Sequence, residues 1–213
     1  MKPPSLDSLL AAASRAACVA LLLCAVAPWA HAGAQREEPL EASVKSALQK
    51  SIADSASRHG AFTDVVTEKR WLQEMSARLQ PRLPDARERL DFLRTVHYEA
   101  SRAGLEPELV LALIQVESAF RKYAVSRVGA RGYMQVMPFW VRSIGSPEQN
   151  LFHLRTNLRY GCTILRYYLG LEKGDLYRAL GRYNGSLGQP EYPNAVLTAQ
   201  RSLWGQPQRQ ASN

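Results

Sequence analysis

The stretch that decides the fold lies in the middle of the chain, where residues 114–138 read IQVESAFRKYAVSRVGARGYMQVMP. It continues a strongly apolar segment, residues 109–114, whose length and composition predict a buried helix. After Glu117 the residues become small and polar, and Gly129 and Gly132 permit close backbone approach. The pattern predicts a helix that ends near Glu117 and leads into a turn-rich loop.

Glu117 is the first candidate for chemistry. Apolar neighbours and the negative end of the helix dipole both disfavour its ionised form and raise its pKa. A carboxylic acid that stays protonated near neutral pH can donate a proton to a leaving oxygen, as glycosidic cleavage requires. From the helix alone, a surface glutamate without a catalytic role is the simpler interpretation. The motif that follows Glu117 favours a catalytic role instead.

Helical patterns account for most of the remaining chain, and alternating strand patterns are scarce. Asp85 fits the N-cap of a helix with Gly104 beyond its end, and Pro107 fits the first turn of the next helix. Apolar spacing predicts further helices over residues 40–52, 65–79, 158–171, 176–183 and 193–204. The expected fold is all-α.

Four segments are expected along the chain. Basic residues, an apolar run over residues 16–26 and the Ala30-His31-Ala32 triplet predict a signal peptide, residues 1–32, cleaved after Ala32. The apolar run falls short of a membrane span. We therefore expect an exported or periplasmic protein without stable membrane insertion. A helical extension (33–84), a compact helical domain (85–205) and a flexible tail (206–213) follow.

The net charge indicates an anionic partner but does not identify its chemical class. The 213 residues include 27 Lys and Arg against 19 Asp and Glu, a net charge of +8. Cleavage removes two basic residues and one acidic residue, which leaves +7 and Cys162 as the one remaining cysteine. An anionic partner is expected, whether nucleic acid, membrane surface or acidic cell-wall polymer. The chain has no phosphate-binding glycine motif, HExxH or cysteine pair, so no metal and no cofactor are predicted.

Two ordered motifs identify a resemblance. The residues around Glu117-Ser118-Ala119-Phe120, Ser126, Gly129-Ala130, Gly132 and Met134-Gln135, followed by Met137-Pro138, resemble the signature of the soluble lytic transglycosylase (SLT) catalytic domain, which is related to goose-type lysozyme. Downstream, residues 183–188 (YNGSLG) are similar to the A-Y-N-x-G motif of that family. The resemblance covers residues 90–204 and implies a lysozyme-like helical domain. Tyr133, Phe139-Trp140 and Arg182 depart from the family pattern and affect the expected shape of the groove.

The resemblance also implies a reaction. The family cleaves the β-1,4 bond between N-acetylmuramic acid and N-acetylglucosamine in peptidoglycan without water, leaving 1,6-anhydro ends. Glu117 is the implied acid and base, and the acetamido group of the substrate replaces a second carboxylate. The implied substrate-binding residues are Ser126, Gln135, Met137, Tyr183 and Asn184. Met134 is expected in the core.

Two alternatives share parts of this interpretation. A goose-type hydrolytic muramidase would use the same acid with water as the acceptor. A non-catalytic protein for wall binding or assembly would keep only the scaffold. A nucleic-acid binder has net charge as its sole support, so the expected partner is the glycan strand, and any envelope protein partner is unknown.

Overall fold

A computed structural model describes residue 35 and residues 37–53 and 65–205. These residues contain eight α-helices and no β-strand, which confirms the expected all-α fold for the described part of the chain. The helices are α1 (Ala42–Ala53), α2 (Val65–Leu79), α3 (Ala86–Arg102), α4 (Pro107–Ser118), α5 (Pro138–Ile144), α6 (Leu154–Leu171), α7 (Leu176–Asn184) and α8 (Glu191–Ala199), and a π-helical turn (Gln200–Trp204) continues α8.

The predicted helix boundaries hold where capping residues mark them. The backbone N–H of Glu88 donates to Oδ1 of Asp85 at 2.7 Å, so Asp85 is the N-cap of α3. Gly104 has a φ of +66° between α3 and α4, and Pro107 occupies the first turn of α4. The last predicted helix begins two residues early, at Glu191, and changes to a π-helix near its end. Helix α5 was not predicted, because seven residues are too few to show a helical period.

Helix α4 lies at the centre of the core. Its residues 109–114 are all buried, as expected for a helix that is apolar all round. It packs against α3, α8 and the π-helical turn. The glutamate at its carboxyl end is therefore placed among packed elements instead of on the surface.

Helix α1 is attached through a buried charge cluster. Glu99 is fully buried and pairs with Arg102, Arg155 and Arg159. Arg102 also donates to the carbonyl of Ser51 at 2.9 Å, and Arg159 donates to the carbonyl of Ile52 at 3.4 Å. The cations thus neutralise both a buried carboxylate and the negative end of α1.

Helix α2 is attached to elements from the rest of the chain. The indole of Trp71 donates to Glu108 at 2.8 Å, and Arg78 donates to the carbonyl of Gly205 at 2.9 Å. Buried residues of α1 and α2 belong to the same hydrophobic core as those of α3 to α8. The boundary between residues 84 and 85 stays a prediction, and the predicted signal peptide and the 206–213 tail lie outside the described residues.

Two further features of the described residues bear on the expectations. Cys162, the one cysteine left after the expected cleavage, is buried with a free thiol. None of the helices placed by the structure is long and apolar enough to cross a membrane.

Candidate active site

The carboxyl end of α4 is a sharp turn that fixes Glu117. The helix ends at Ser118, and the next two residues, Ala119 and Phe120, have φ values of +49° and +65°. Residues other than glycine rarely adopt these positive φ values, so packing around the turn must stabilise it. The ring of Phe120 does so, because it is 3% exposed and packs edge-on against Phe92 at a centroid distance of 5.9 Å.

Glu117 is a buried carboxyl with one hydrogen bond. Its side chain is 5% exposed, and Tyr192 Oη donates to Oε1 at 2.6 Å. The second oxygen, Oε2, is buried and makes no hydrogen bond within the described residues. Burial raises the pKa of Glu117 to about 8, and the bond from Tyr192 opposes this shift with a smaller effect. The expected upward direction is confirmed, and the side chain is a neutral acid at pH 7.

Tyr192 is the functional candidate that sequence reasoning missed. It lies near the start of α8, 75 residues beyond Glu117, and is itself buried. Burial and the neighbouring Glu117 raise the pKa of Tyr192 well above its usual value, so the phenol keeps its proton and donates it. Its only sequence signal is a tyrosine in the first turn of a helix, which does not distinguish it from a core residue.

The loop after the helix, residues 119–137, is folded by its own backbone. Gly132 N donates to the carbonyl of Ala124 at 2.9 Å, and Ser126 N donates to the carbonyl of Ala130 at 3.0 Å. Isolated bridges pair Arg131 with both Val125 and Val136. We call this segment the 119–137 loop.

Asn157 of α6 anchors this loop to the core. Its Oδ1 accepts from Met134 N at 2.8 Å, and its Nδ2 donates to the carbonyls of Arg131 at 2.9 Å and Leu151 at 2.8 Å. Gly132 is required at the contact, because a Cβ there would lie 2.4 Å from Asn157 Nδ2, and its φ is +75°. Sequence reasoning did not single out Asn157, since a lone polar residue in a helix carries no pattern.

Ser126 and Gln135 both belong to the hydrogen-bond network of the 119–137 loop. Ser126 is half-buried, and its Oγ accepts from Ala130 N at 3.1 Å, so its own hydroxyl proton is left to donate. Gln135 is 1% exposed, and its Nε2 donates to the carbonyls of Ala124 at 3.1 Å and Gly132 at 2.9 Å. The amide nitrogen of Gln135 therefore shapes the loop, and the predicted contact of either residue with sugar stays a prediction.

Tyr183 joins α7 to the same loop. It is fully buried, and its hydroxyl donates to the carbonyl of Met134 at 2.8 Å. Burial and then the nearby Glu117 raise the pKa of Tyr183 well above its usual value. Met134 is fully buried, as expected, and Met137 is half-buried at the N-cap of α5 against the core.

Asn184 ends α7 beside a left-handed glycine. Its Nδ2 donates to Ser186 Oγ at 3.0 Å, while its buried Oδ1 has no hydrogen-bond partner among the described residues. Gly185, with a φ of +77°, caps the helix. Asn184 therefore holds the turn of the YNG motif, and its predicted role toward substrate stays a prediction.

An N-terminal residue reaches this region from outside the two motifs. The indole of Trp140 donates to Oε1 of Gln35 at 2.8 Å, and Gln35 is 4% exposed. The amide of Gln35 also lies beside the hydroxyl of Tyr183 and lowers the pKa of that phenol slightly against the larger upward effects. Trp140, one of the departures from the family pattern, thus binds a residue that precedes α1. No group of three His, Cys, Asp or Glu residues that could hold a metal ion occurs among the described residues.

Comparisons with known proteins relate the sequence to transglycosylases. The sequence profile named transglycosylase SLT domain matches residues 94–195. The chain is 31% identical over 123 residues to the transglycosylase of Enterobacteria phage PRD1, covering 54% of this chain and 45% of that protein. It is also 31% identical over 156 residues to membrane-bound lytic murein transglycosylase C of Pectobacterium atrosepticum, covering 62% and 43%. In these alignments the chain spans less than half the length of each relative.

Proposed function

Because residues 94–195 belong to the transglycosylase SLT domain family, we propose that the protein is a peptidoglycan lytic transglycosylase. It cleaves the β-1,4 bond between N-acetylmuramic acid and N-acetylglucosamine and leaves 1,6-anhydromuramyl ends. The names of the relatives, which include a lytic murein transglycosylase, support this substrate class.

The observation that carries the proposal is the buried carboxyl of Glu117, which Tyr192 holds through one hydrogen bond. With a pKa of about 8 it holds its proton at neutral pH, and Tyr192 fixes the position of one oxygen. The other oxygen, Oε2, has no hydrogen-bond partner among the described residues, so no bond to these residues competes for its proton. A neutral, oriented carboxylic acid in an apolar setting is what protonation of a glycosidic oxygen requires.

The reaction then takes two proton transfers through one side chain. Glu117 protonates the glycosidic oxygen as the bond from that oxygen to C1 of the muramyl sugar breaks, and the carbonyl oxygen of the substrate's acetamido group stabilises the positive C1. Glu117, now ionised, takes the proton of the C6 hydroxyl while O6 forms the new bond to C1. The acid regains its proton, and no water is consumed.

The surroundings of Glu117 support the substrate-assisted route. Burial and the Tyr192 hydrogen bond are the causes of its pKa shift, and no second carboxylate of the described residues is among them. The next acidic residue in the chain, Glu148, lies exposed and bonds to Ser146. Glycosidases that use water or an enzyme nucleophile place a second carboxylate within about 5–10 Å of the acid.

The test is mass spectrometry of the products released from purified sacculi. The protein is compared with Glu117→Gln, which keeps the shape of the side chain and removes the transferable proton. Muropeptides one water lighter than hydrolysis products are expected from the parent, and a loss of at least about a hundredfold in rate is expected in the variant. Glu191→Gln is the matched control, because Glu191 is an exposed carboxylate next to Tyr192 in the chain.

Each other outcome points to a different function. Products of ordinary mass with reducing ends would identify a hydrolytic muramidase that uses the same acid. Binding to sacculi without any product that depends on Glu117 would identify a wall-binding or assembly protein.

A further inference from the structure

The 119–137 loop carries exposed apolar side chains that its packing does not explain. Tyr123 is 71% exposed, Val125 is 61% exposed and Val128 is 53% exposed. Neighbouring residues of the same loop, such as Phe120 and Val136, are buried. Grouped exposed apolar residues on one loop are typical of a binding surface.

Tyr123 is the centre of a mixed aromatic and cationic surface. Its ring lies 5.8 Å from the ring of Phe152, measured between centroids. Lys122 Nζ lies 5.3 Å from the centroid of Tyr123, and Arg131 Cζ lies 6.0 Å from the centroid of Phe152. We call these four residues the aromatic patch.

The core holds the patch in place before any ligand arrives. Asn157 Nδ2 donates to the carbonyls of both Arg131 and Leu151, so the segments that carry Arg131 and Phe152 are joined at one buried side chain. Ordering these two segments in advance lowers the entropic cost of binding.

The patch is also linked to the candidate active site. Ala124, the neighbour of Tyr123, accepts through its carbonyl from Gln135 Nε2. One loop therefore connects the helix of Glu117, Tyr123 of the aromatic patch and the motif residues Ser126 and Gln135.

The chain segment that carries Lys122, Tyr123 and Arg131 has charged residues of one sign. Residues 118–147 contain no acidic residue. They contain five basic residues, namely Arg121, Lys122, Arg127, Arg131 and Arg142. Of these, Arg121, Arg127 and Arg131 are exposed and Lys122 is half-buried. Such a surface attracts a polymer that carries carboxylates.

We propose that the aromatic patch is a glycan subsite that stacks a sugar ring on Tyr123 and pairs stem-peptide carboxylates with Lys122 and Arg131. The occupant is the peptide-bearing glycan strand, so the inference rests on the proposed function. The apolar face of a pyranose ring matches an exposed aromatic ring, and the free carboxylates of the stem peptides match the cations. A polymer that carries both pyranose rings and carboxylates accounts for both the aromatic rings and the cations of the patch.

The test separates binding from cleavage by using Glu117→Gln as the parent. Co-sedimentation with purified sacculi measures its affinity. The same assay on particulate chitin, a β-1,4 polymer of N-acetylglucosamine that serves as glycan stripped of both peptides and carboxylates, measures the affinity for sugar alone. Adding Tyr123→Ala is expected to weaken binding about three- to tenfold on both polymers. Tyr123→Phe should restore the parent affinity, because it keeps the ring.

The double change Lys122→Ala and Arg131→Ala should weaken binding to intact sacculi and leave binding to stripped glycan within twofold of the parent. Tyr177→Ala is the matched control, since Tyr177 is 38% exposed on α7 and is not part of the patch. All these residues are exposed or half-buried, and circular dichroism checks that each variant folds.

The results also distinguish the two proposals. Unchanged affinity of Tyr123→Ala on both polymers would overturn the subsite and leave the proposed activity standing. Equal loss by the double variant on stripped glycan would overturn the carboxylate pairing. Failure of the parent itself to bind sacculi would overturn the subsite and the wall substrate together.

Discussion

The hydroxyl of Tyr192 donates a 2.6 Å hydrogen bond to Oε1 of Glu117, across 75 residues of sequence. This bond joins the end of α4 to the start of α8 inside the core. Because it favours the ionised carboxylate while burial favours the acid, it holds the pKa of Glu117 at about 8 instead of higher.

Replacing Tyr192 by Phe tests that balance. The pKa of Glu117 should rise above about 8, since the group that stabilised its anion is gone. Activity should fall about ten- to hundredfold, the value of a hydrogen bond to a charged group. Rates measured against pH should show the high-pH limb displaced to higher pH. Tyr177→Phe, which removes a hydroxyl from the surface, should leave the profile unchanged, and an unmoved limb in Tyr192→Phe would contradict the assigned bond.

Glu117 also predicts how stability depends on pH. Its folded pKa of about 8 lies above the usual 4.5, so the folded state binds more protons than the unfolded state between these values. The contribution of Glu117 is complete below pH 4.5 and is lost as pH rises through about 8. Melting temperatures of the parent and Glu117→Gln, measured from pH 4 to 9, should therefore diverge in favour of the variant as pH rises. Parallel curves would mean that the carboxyl is not shifted.

Asn157 should contribute more to the free energy of unfolding than a single polar side chain usually does. Asn157→Ala removes three hydrogen bonds and strands the buried Met134 N–H, so we expect a loss of about 3 kcal/mol in the free energy of unfolding. Urea titration followed by fluorescence measures it. Asn150→Ala is the control, because the side chain of Asn150 accepts an exposed hydrogen bond from Phe152 N, and its loss should cost under about 1 kcal/mol. Similar losses in both variants would refute the anchoring role.

The segment before α1 should be energetically coupled to α5. Gln35→Ala and Trp140→Phe each break the 2.8 Å bond between these side chains, so their combined effect should be smaller than the sum of the single effects. A double-mutant cycle by urea unfolding should give a coupling of about 1 kcal/mol. Strict additivity would show that Gln35 does not bond to Trp140 in solution.

The sequence by itself determined most of the helices and singled out Glu117 as the candidate acid. Capping at Asp85, the proline at position 107 and the apolar run before Glu117 are local signals, and local backbone preferences act on neighbours in the chain. The raised pKa of Glu117 also followed in direction, because apolar neighbours in a helix already imply burial. Helix α5 escaped prediction because seven residues hardly exceed one period of an amphipathic pattern.

Only the tertiary structure decided which distant groups meet. Tyr192 reaches Glu117, Asn157 holds Met134, and Trp140 binds Gln35, each across 23 to 105 residues. A single hydrogen bond between two side chains has no period and leaves no motif, so it is defined only when packed helices bring donor and acceptor together. The same packing decided that Nε2 of Gln135 bonds to the loop and that Tyr123 is exposed.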